Sequence, residues 1–125
     1  MIEDELQALL EKTTPERDRY ALFVEDCQDQ DVRLRFSPAM GESWSSAALL
    51  TVAETSLRAA AGPEMRLSHL NVTVLRPVQQ ADVIALSRVL RRDRGVVHAE
   101  AWLFSHAVVE PMLHATATLT LRAAG

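Results

Sequence analysis

The chain has 125 residues, 48% of them apolar and 24% charged, with a net charge of −4. That length allows one domain (1–125) with a real hydrophobic core and leaves no room for two. An acidic balance argues against a nucleic-acid surface, which calls for a basic face. No stretch has the charged start, apolar middle and small-residue cleavage site of a signal peptide, and no membrane association is expected. Cys27 is the only cysteine, so no internal disulfide can form, and an intracellular, cytoplasmic protein is expected. Acidic neighbours (Glu25, Asp26, Asp29) raise a thiol pKa rather than lower it, so Cys27 reads as incidental. His69, His98, His106 and His114 have no short metal-ligand spacing, and no metal is expected.

In chain order, residues 2–11 place Ile2, Leu6, Leu9 and Leu10 on one helical face. Glu3, Asp4 and Glu5 in the first turn suit the helix macrodipole. Thr14-Pro15-Glu16 has the form of a second helix start, with Thr14 as cap and a short helix running through Tyr20 to Leu22. Residues 1–30 are thus expected to be a helical segment covering a core at 31–122. Val32-Arg-Leu-Arg-Phe36 alternates apolar and charged residues before Ser37-Pro38, a strand stopped by proline.

A long helix follows, with Ser43 as its expected cap and Gly62-Pro63 as its end. It is apolar nearly all round, so other structure should wrap it. Glu54 is the only ionised residue between Ser43 and Leu57. The plain reading is a solvated i,i+4 pair with Arg58; the other is a carboxylate held for a purpose.

Beyond Pro63 the chain reads as strands. In residues 65–77 the apolar phase shifts near His69, from Met65/Leu67 to Leu70/Val72/Val74, which predicts a bulge. Residues 82–90 lead into the charged turn Arg91-Arg-Asp-Arg-Gly95. Residues 96–104 put Val97, Ala99, Ala101 and Leu103 on one face, and residues 112–121 do the same with Leu113, Ala115, Ala117, Leu119 and Leu121. Short connections make these antiparallel neighbours. The expected architecture is α+β: one antiparallel sheet wrapped around a long central helix, with an N-terminal helical extension.

That order is what the hotdog fold would give, and four segments resemble the PaaI-like acyl-CoA thioesterases. They are Val32-Arg-Leu-Arg-Phe-Ser-Pro38, Leu49-Leu-Thr-Val-Ala-Glu-Thr55, Asn71-Val-Thr-Val-Leu-Arg-Pro-Val78 and Arg88-Val-Leu-Arg-Arg-Asp-Arg94. Each alone is weak; their joint occurrence in the right order is specific. The resemblance implies hydrolysis of a small or medium acyl- or aryl-CoA thioester, with coenzyme A as part of the substrate and no separate cofactor. It assigns Glu54 as general base or nucleophile. It assigns polarisation of the thioester carbonyl to amides at the start of the same helix, where the family carries His-Gly-Gly or Asn-Gly-Gly. Here those positions hold Ser45, Ser46 and Ala47, a departure that removes an orienting side chain and replaces the first glycine.

The first turn of a helix still supplies N–H groups unused within it, so the Ser46 amide can serve. Eight residues of helix separate Ser46 from Glu54, a rise of about 12 Å. One subunit cannot bring both groups to the same carbonyl, so the active form is expected to be a homodimer or homotetramer with shared sites. A desolvated Glu54 would have a raised pKa, and pairing with Arg58 would oppose that.

Further candidates carry two readings each. Arg91, Arg92 and Arg94 either hold coenzyme A phosphates or form an ordinary solvated turn. Asn71 and Thr73 either line an acyl pocket or pair across strands. Trp44 and Trp102 read as core or interface anchors. The rivals to hydrolysis are a non-catalytic acyl-CoA-binding protein that has lost the glycine motif, a hydratase, and a purely structural dimer. A hydratase generally needs a histidine near the central helix, and residues 32–66 contain none.

Overall fold

The computed structural model describes residues 2–13, 20–28, 31–38, 44–77, 81–105 and 110–121. Their elements are α1 (Glu3–Thr13), β1 (Tyr20–Gln28), β2 (Asp31–Pro38), α2 (Ser46–Ala61), β3 (Arg66–Val74), β4 (Val83–Asp93), β5 (Val96–Ser105) and β6 (Pro111–Thr120). The six strands form one antiparallel sheet in the order β1-β2-β4-β5-β6-β3. α2 lies across one face of it, chiefly over β4 and β5.

Strand alternation decides which residues meet α2. Leu34 and Phe36 of β2, Val83 and Ala85 of β4, and Val97, Ala99, Ala101 and Leu103 of β5 are all buried. From β6, Leu113, Ala115, Ala117 and Leu119 join them, while Leu121 is exposed. Alanines at the centre of β5 and β6 let the helix approach closely, and Val52, Ala53 and Leu57 fill the space from the helix side. The expected shift in β3 is present: its register to β6 slips between Leu67 and His69. β4 and β5 are joined through Arg94 and Gly95, at φ 30° and 76°. Two successive positive φ values match the twist of the flanking strands, and glycine carries the second without strain. Of the expected charged turn, Arg94 and Gly95 lie in it; Arg91, Arg92 and Asp93 belong to β4.

Two expectations need correction. Tyr20 to Leu22 is not helical but opens β1, pairing with Pro38, Ser37 and Phe36 of β2. The helix signal came from Thr14-Pro15-Glu16, which lies outside the described residues. The run Tyr-Ala-Leu-Phe-Val has strand propensity and puts Leu22 against the core. The described residues among the first 30 therefore form one helix and one strand of the main sheet. The cap of α2 is Ser45, not Ser43, which lies outside the described residues. Ser45 is extended (φ −93°, ψ 165°), and its hydroxyl accepts from the Ala48 N–H at 3.1 Å. Trp44 explains the later start. Its ring is buried and its Nε1–H donates to the Ala81 carbonyl at 2.7 Å, which ties the chain down just before the helix.

The two edges of the sheet are treated differently. At the β1 edge, Gln7 of α1 donates to the Leu22 carbonyl and accepts from the Val24 N–H, both at 2.7 Å. One side-chain amide thereby occupies two backbone groups of an edge strand. Leu6 and Leu10 of α1 are fully buried beside it. At the other edge, β3 ends the sheet, and no strand among the described residues pairs with its outer side.

Candidate active site

The long helix is covered unevenly. Every residue from 55 to 61 is buried. Nearer the N-terminus, one stripe stays open: Ser46, Ala47 and Leu50 are exposed, while Thr51 and Glu54 are partly so. The i, i+3, i+4 spacing of these residues makes them a single face running from the helix start to Glu54.

At its upper end the stripe offers backbone donors. The first N–H bonded within the helix to a main-chain carbonyl is that of Leu49, which donates to Ser45 at 3.0 Å. Ser45 takes the Ala48 N–H with its hydroxyl, so the amides of Ser46 and Ala47 have no role inside the helix. They sit at the positive end of the helix dipole, where a developing negative charge is stabilised.

At its lower end stands Glu54, its side chain 40% exposed. The expected desolvation is therefore not met within one chain. The Arg58 pairing is present: Nε lies 3.8 Å from Glu54 Oε1. Arg58 differs from the surface partner that its spacing suggested, because it is only 7% exposed and donates through Nη1 to the Pro63 carbonyl at 3.2 Å. The helix is unbroken from Ser46 to Ala61, so the Ser46 amide and Glu54 are separated by a rise of about 12 Å.

The other candidates are placed elsewhere. Asn71 and Thr73 pair with Thr116 and His114 of β6, residues that alternate with the buried Ala115 and Ala117. Both therefore face away from α2 and do not meet the Glu54 stripe within one chain. Arg92 donates to the Ala61 carbonyl at 3.1 Å, which caps the far end of α2, about 10 Å along the helix from Glu54. Arg91 pairs with Asp93 at 3.5 Å on the surface, and Arg94 is exposed. Trp102 stacks on His114 on the outer face of the sheet, with ring centroids 3.9 Å apart. Burial pushes the Cys27 thiol up, and Glu3 and Asp26 add to that shift.

Leu50 and Thr51 were not among the candidates, yet they stand one turn before Glu54 on the open stripe. Counting back three and four residues from the carboxylate would have found them.

No family model matches the chain, and no curated protein does. Solved structures do match. A candidate thioesterase from a Silicibacter species is 18% identical, with a TM-score of 0.83 over 98% of this chain and 93% of that one. Zebrafish thioesterase superfamily member 2 is 13% identical, with a TM-score of 0.77 over 98% and 99%. A mutant of the phenylacetic acid degradation protein PaaI from Thermus thermophilus is 14% identical, with a TM-score of 0.71 over 86% and 99%. At such identities the likeness is one of fold. The chain has the hotdog fold of these thioesterase-superfamily structures.

Proposed function

We propose that the chain is a homo-oligomeric acyl-CoA thioesterase in which Glu54 of one subunit works with the first-turn amides of α2 in its partner. The observation that carries this reading is the open stripe on α2. A carboxylate stands at one end and amides that bond nothing within the helix at the other, too far apart to serve one carbonyl alone.

Glu54 takes a proton from water, whose oxygen adds to the thioester carbon. The carbonyl oxygen becomes an oxyanion and is held by the partner subunit's Ser46 amide, with the Ala47 amide beside it. Collapse breaks the C–S bond, and the coenzyme A sulfur leaves with the proton from Glu54. The products are a carboxylic acid and a thiol. Direct attack by the Glu54 carboxylate, through an anhydride that water then opens, balances equally well.

The uneven sheet edges support a dimer. α1 and Gln7 occupy the β1 edge, which leaves β3 as the strand whose outer side no described strand pairs with. Val74 and Leu75 are exposed at its end, and Leu50 is exposed on the helix stripe. Pairing β3 with its copy would continue the sheet across two subunits and cover apolar surface.

The second reading, an acyl-CoA-binding protein without turnover, draws on Ser45. Its side chain is engaged in capping Ala48 rather than turned to a substrate. Assaying hydrolysis of aryl- and fatty acyl-CoAs by the parent beside Glu54→Gln separates the two. The substitution is expected to lower kcat about 10²- to 10⁴-fold, the usual contribution of a positioned base. Unchanged turnover in the variant would remove Glu54 from the mechanism. Acyl-CoA binding without turnover by the parent would favour the second reading.

A further inference from the structure

We infer that Arg58 is a positioning residue that fixes the direction of the Glu54 carboxylate, an inference that rests on Glu54 being the reactive group. Burying a guanidinium is costly unless carbonyls and carboxylates surround it. Arg58 nevertheless sits in the fully covered half of α2, 7% exposed. Its Nη1 donates to the Pro63 carbonyl at 3.2 Å. Its own carbonyl accepts from the Gly62 N–H at 2.7 Å, with Gly62 at φ 140°. The side chain and the turn that carries it are therefore both held.

A role limited to the helix end does not account for this arrangement. Arg92 already supplies a cation there, bonded to the Ala61 carbonyl at 3.1 Å. What distinguishes Arg58 is its charge contact with Glu54: Nε lies 3.8 Å from Glu54 Oε1, close enough to attract the carboxylate though beyond hydrogen-bond distance. Glu54 is the opposite case. Its side chain is 40% exposed, on an open stripe, and has three rotatable torsions. A carboxylate free to swing spends little time aligned with a water or a thioester carbon. A held cation one turn below restricts it to the rotamers that point at that cation. Misplacing a reacting group by about 1 Å is worth on the order of 10²-fold in rate, so the effect falls on turnover rather than on binding.

The test compares kcat and KM for the parent, Glu54→Gln, Arg58→Gln, Arg58→Lys and the Glu54→Gln/Arg58→Gln double variant, on one acyl-CoA that the parent hydrolyses. Thermal melts are run in parallel. Arg58→Gln is expected to lower kcat about 10- to 100-fold with KM little changed. Arg58→Lys, which keeps the charge but not the planar fork, is expected to recover most of that loss. Because Arg58 acts through Glu54, the double variant should be no slower than Glu54→Gln alone. Three results would overturn the inference: an unchanged kcat in Arg58→Gln, a loss shared equally by the lysine variant in step with its melting temperature, or a further loss on the Glu54→Gln background. Turnover lost in Glu54→Gln but kept in Arg58→Gln removes Arg58 alone. Turnover kept in Glu54→Gln removes both residues from the mechanism.

Discussion

Glu100 shows how this chain holds a carboxylate out of water between an arginine and a histidine. It lies on the outer face of the sheet, its side chain 11% exposed, between Arg88 at 2.7 Å and His114 at 3.0 Å. Burial pushes its carboxyl up, but the hydrogen bonds and charges of His114 and Arg88 outweigh that and leave it below the usual carboxylate range. A carboxyl that is more acidic when folded binds fewer protons in the folded state. Its contribution to stability is therefore complete above the ordinary carboxylate range and is lost as pH falls through the folded value. Glu100→Gln is expected to cost about 1.5–3 kcal/mol near neutral pH, the range for bonds to a charged group. The gap in melting temperature between parent and variant should narrow as pH falls below the ordinary carboxylate range and close only below the folded value, which lies under that range. A gap that stays constant on acidification to well below the ordinary carboxylate range would mean that the charge of Glu100 contributes nothing. Glu54 stood out in the sequence because it is ionised in apolar company, whereas Glu100 sits among mixed neighbours and did not. Cross-strand pairing makes the difference, since it joins Glu100 to Arg88 and His114 from separate strands.

Among the elements, α2 was the most readable. Its small apolar residues, its glycine stop and its single carboxylate all sit within one continuous run, where helical periodicity applies directly. Its start was misread by two residues because Ser43 and Ser45 are both acceptable caps. The anchoring of Trp44 to the Ala81 carbonyl, a contact between distant parts of the chain, settles the choice. β1 was misread for a similar reason. Helix-start chemistry at residues 14–16 precedes a run whose partner, β2, decides its conformation. The docking of α1 on β1 depends on one side chain, Gln7, with a donor and an acceptor facing Leu22 and Val24. Gln7→Ala removes both and is expected to cost about 1–3 kcal/mol. Amide hydrogen exchange at Val24 should quicken while exchange in β5 follows only the global loss. Unchanged protection at Val24 would show that the edge is closed by other means.

At the scale of the whole molecule, the proposal requires that two subunits share each site, and complementation tests that directly. Ser46→Pro deletes the Ser46 N–H at the first helical position, where proline is tolerated, and the extended backbone of Ser45 suits a following proline. Both this variant and Glu54→Gln are expected to be slow when assayed alone. Mixed after dissociation and reassembly, they should regain roughly a quarter of parental turnover, because about half the dimers are mixed and each mixed dimer has one intact site. A mixture no faster than its components would mean that each subunit acts alone. The sequence by itself determined the strand faces, the central helix and the isolation of Glu54, because these follow from periodicity along a continuous chain. Only the tertiary structure decided that Arg58 is buried, that Asn71 and Thr73 face away from the helix, and that α1 docks on one sheet edge while no described strand pairs with the other. Each of those depends on which distant segment lies alongside, and spacing along the chain carries no record of that.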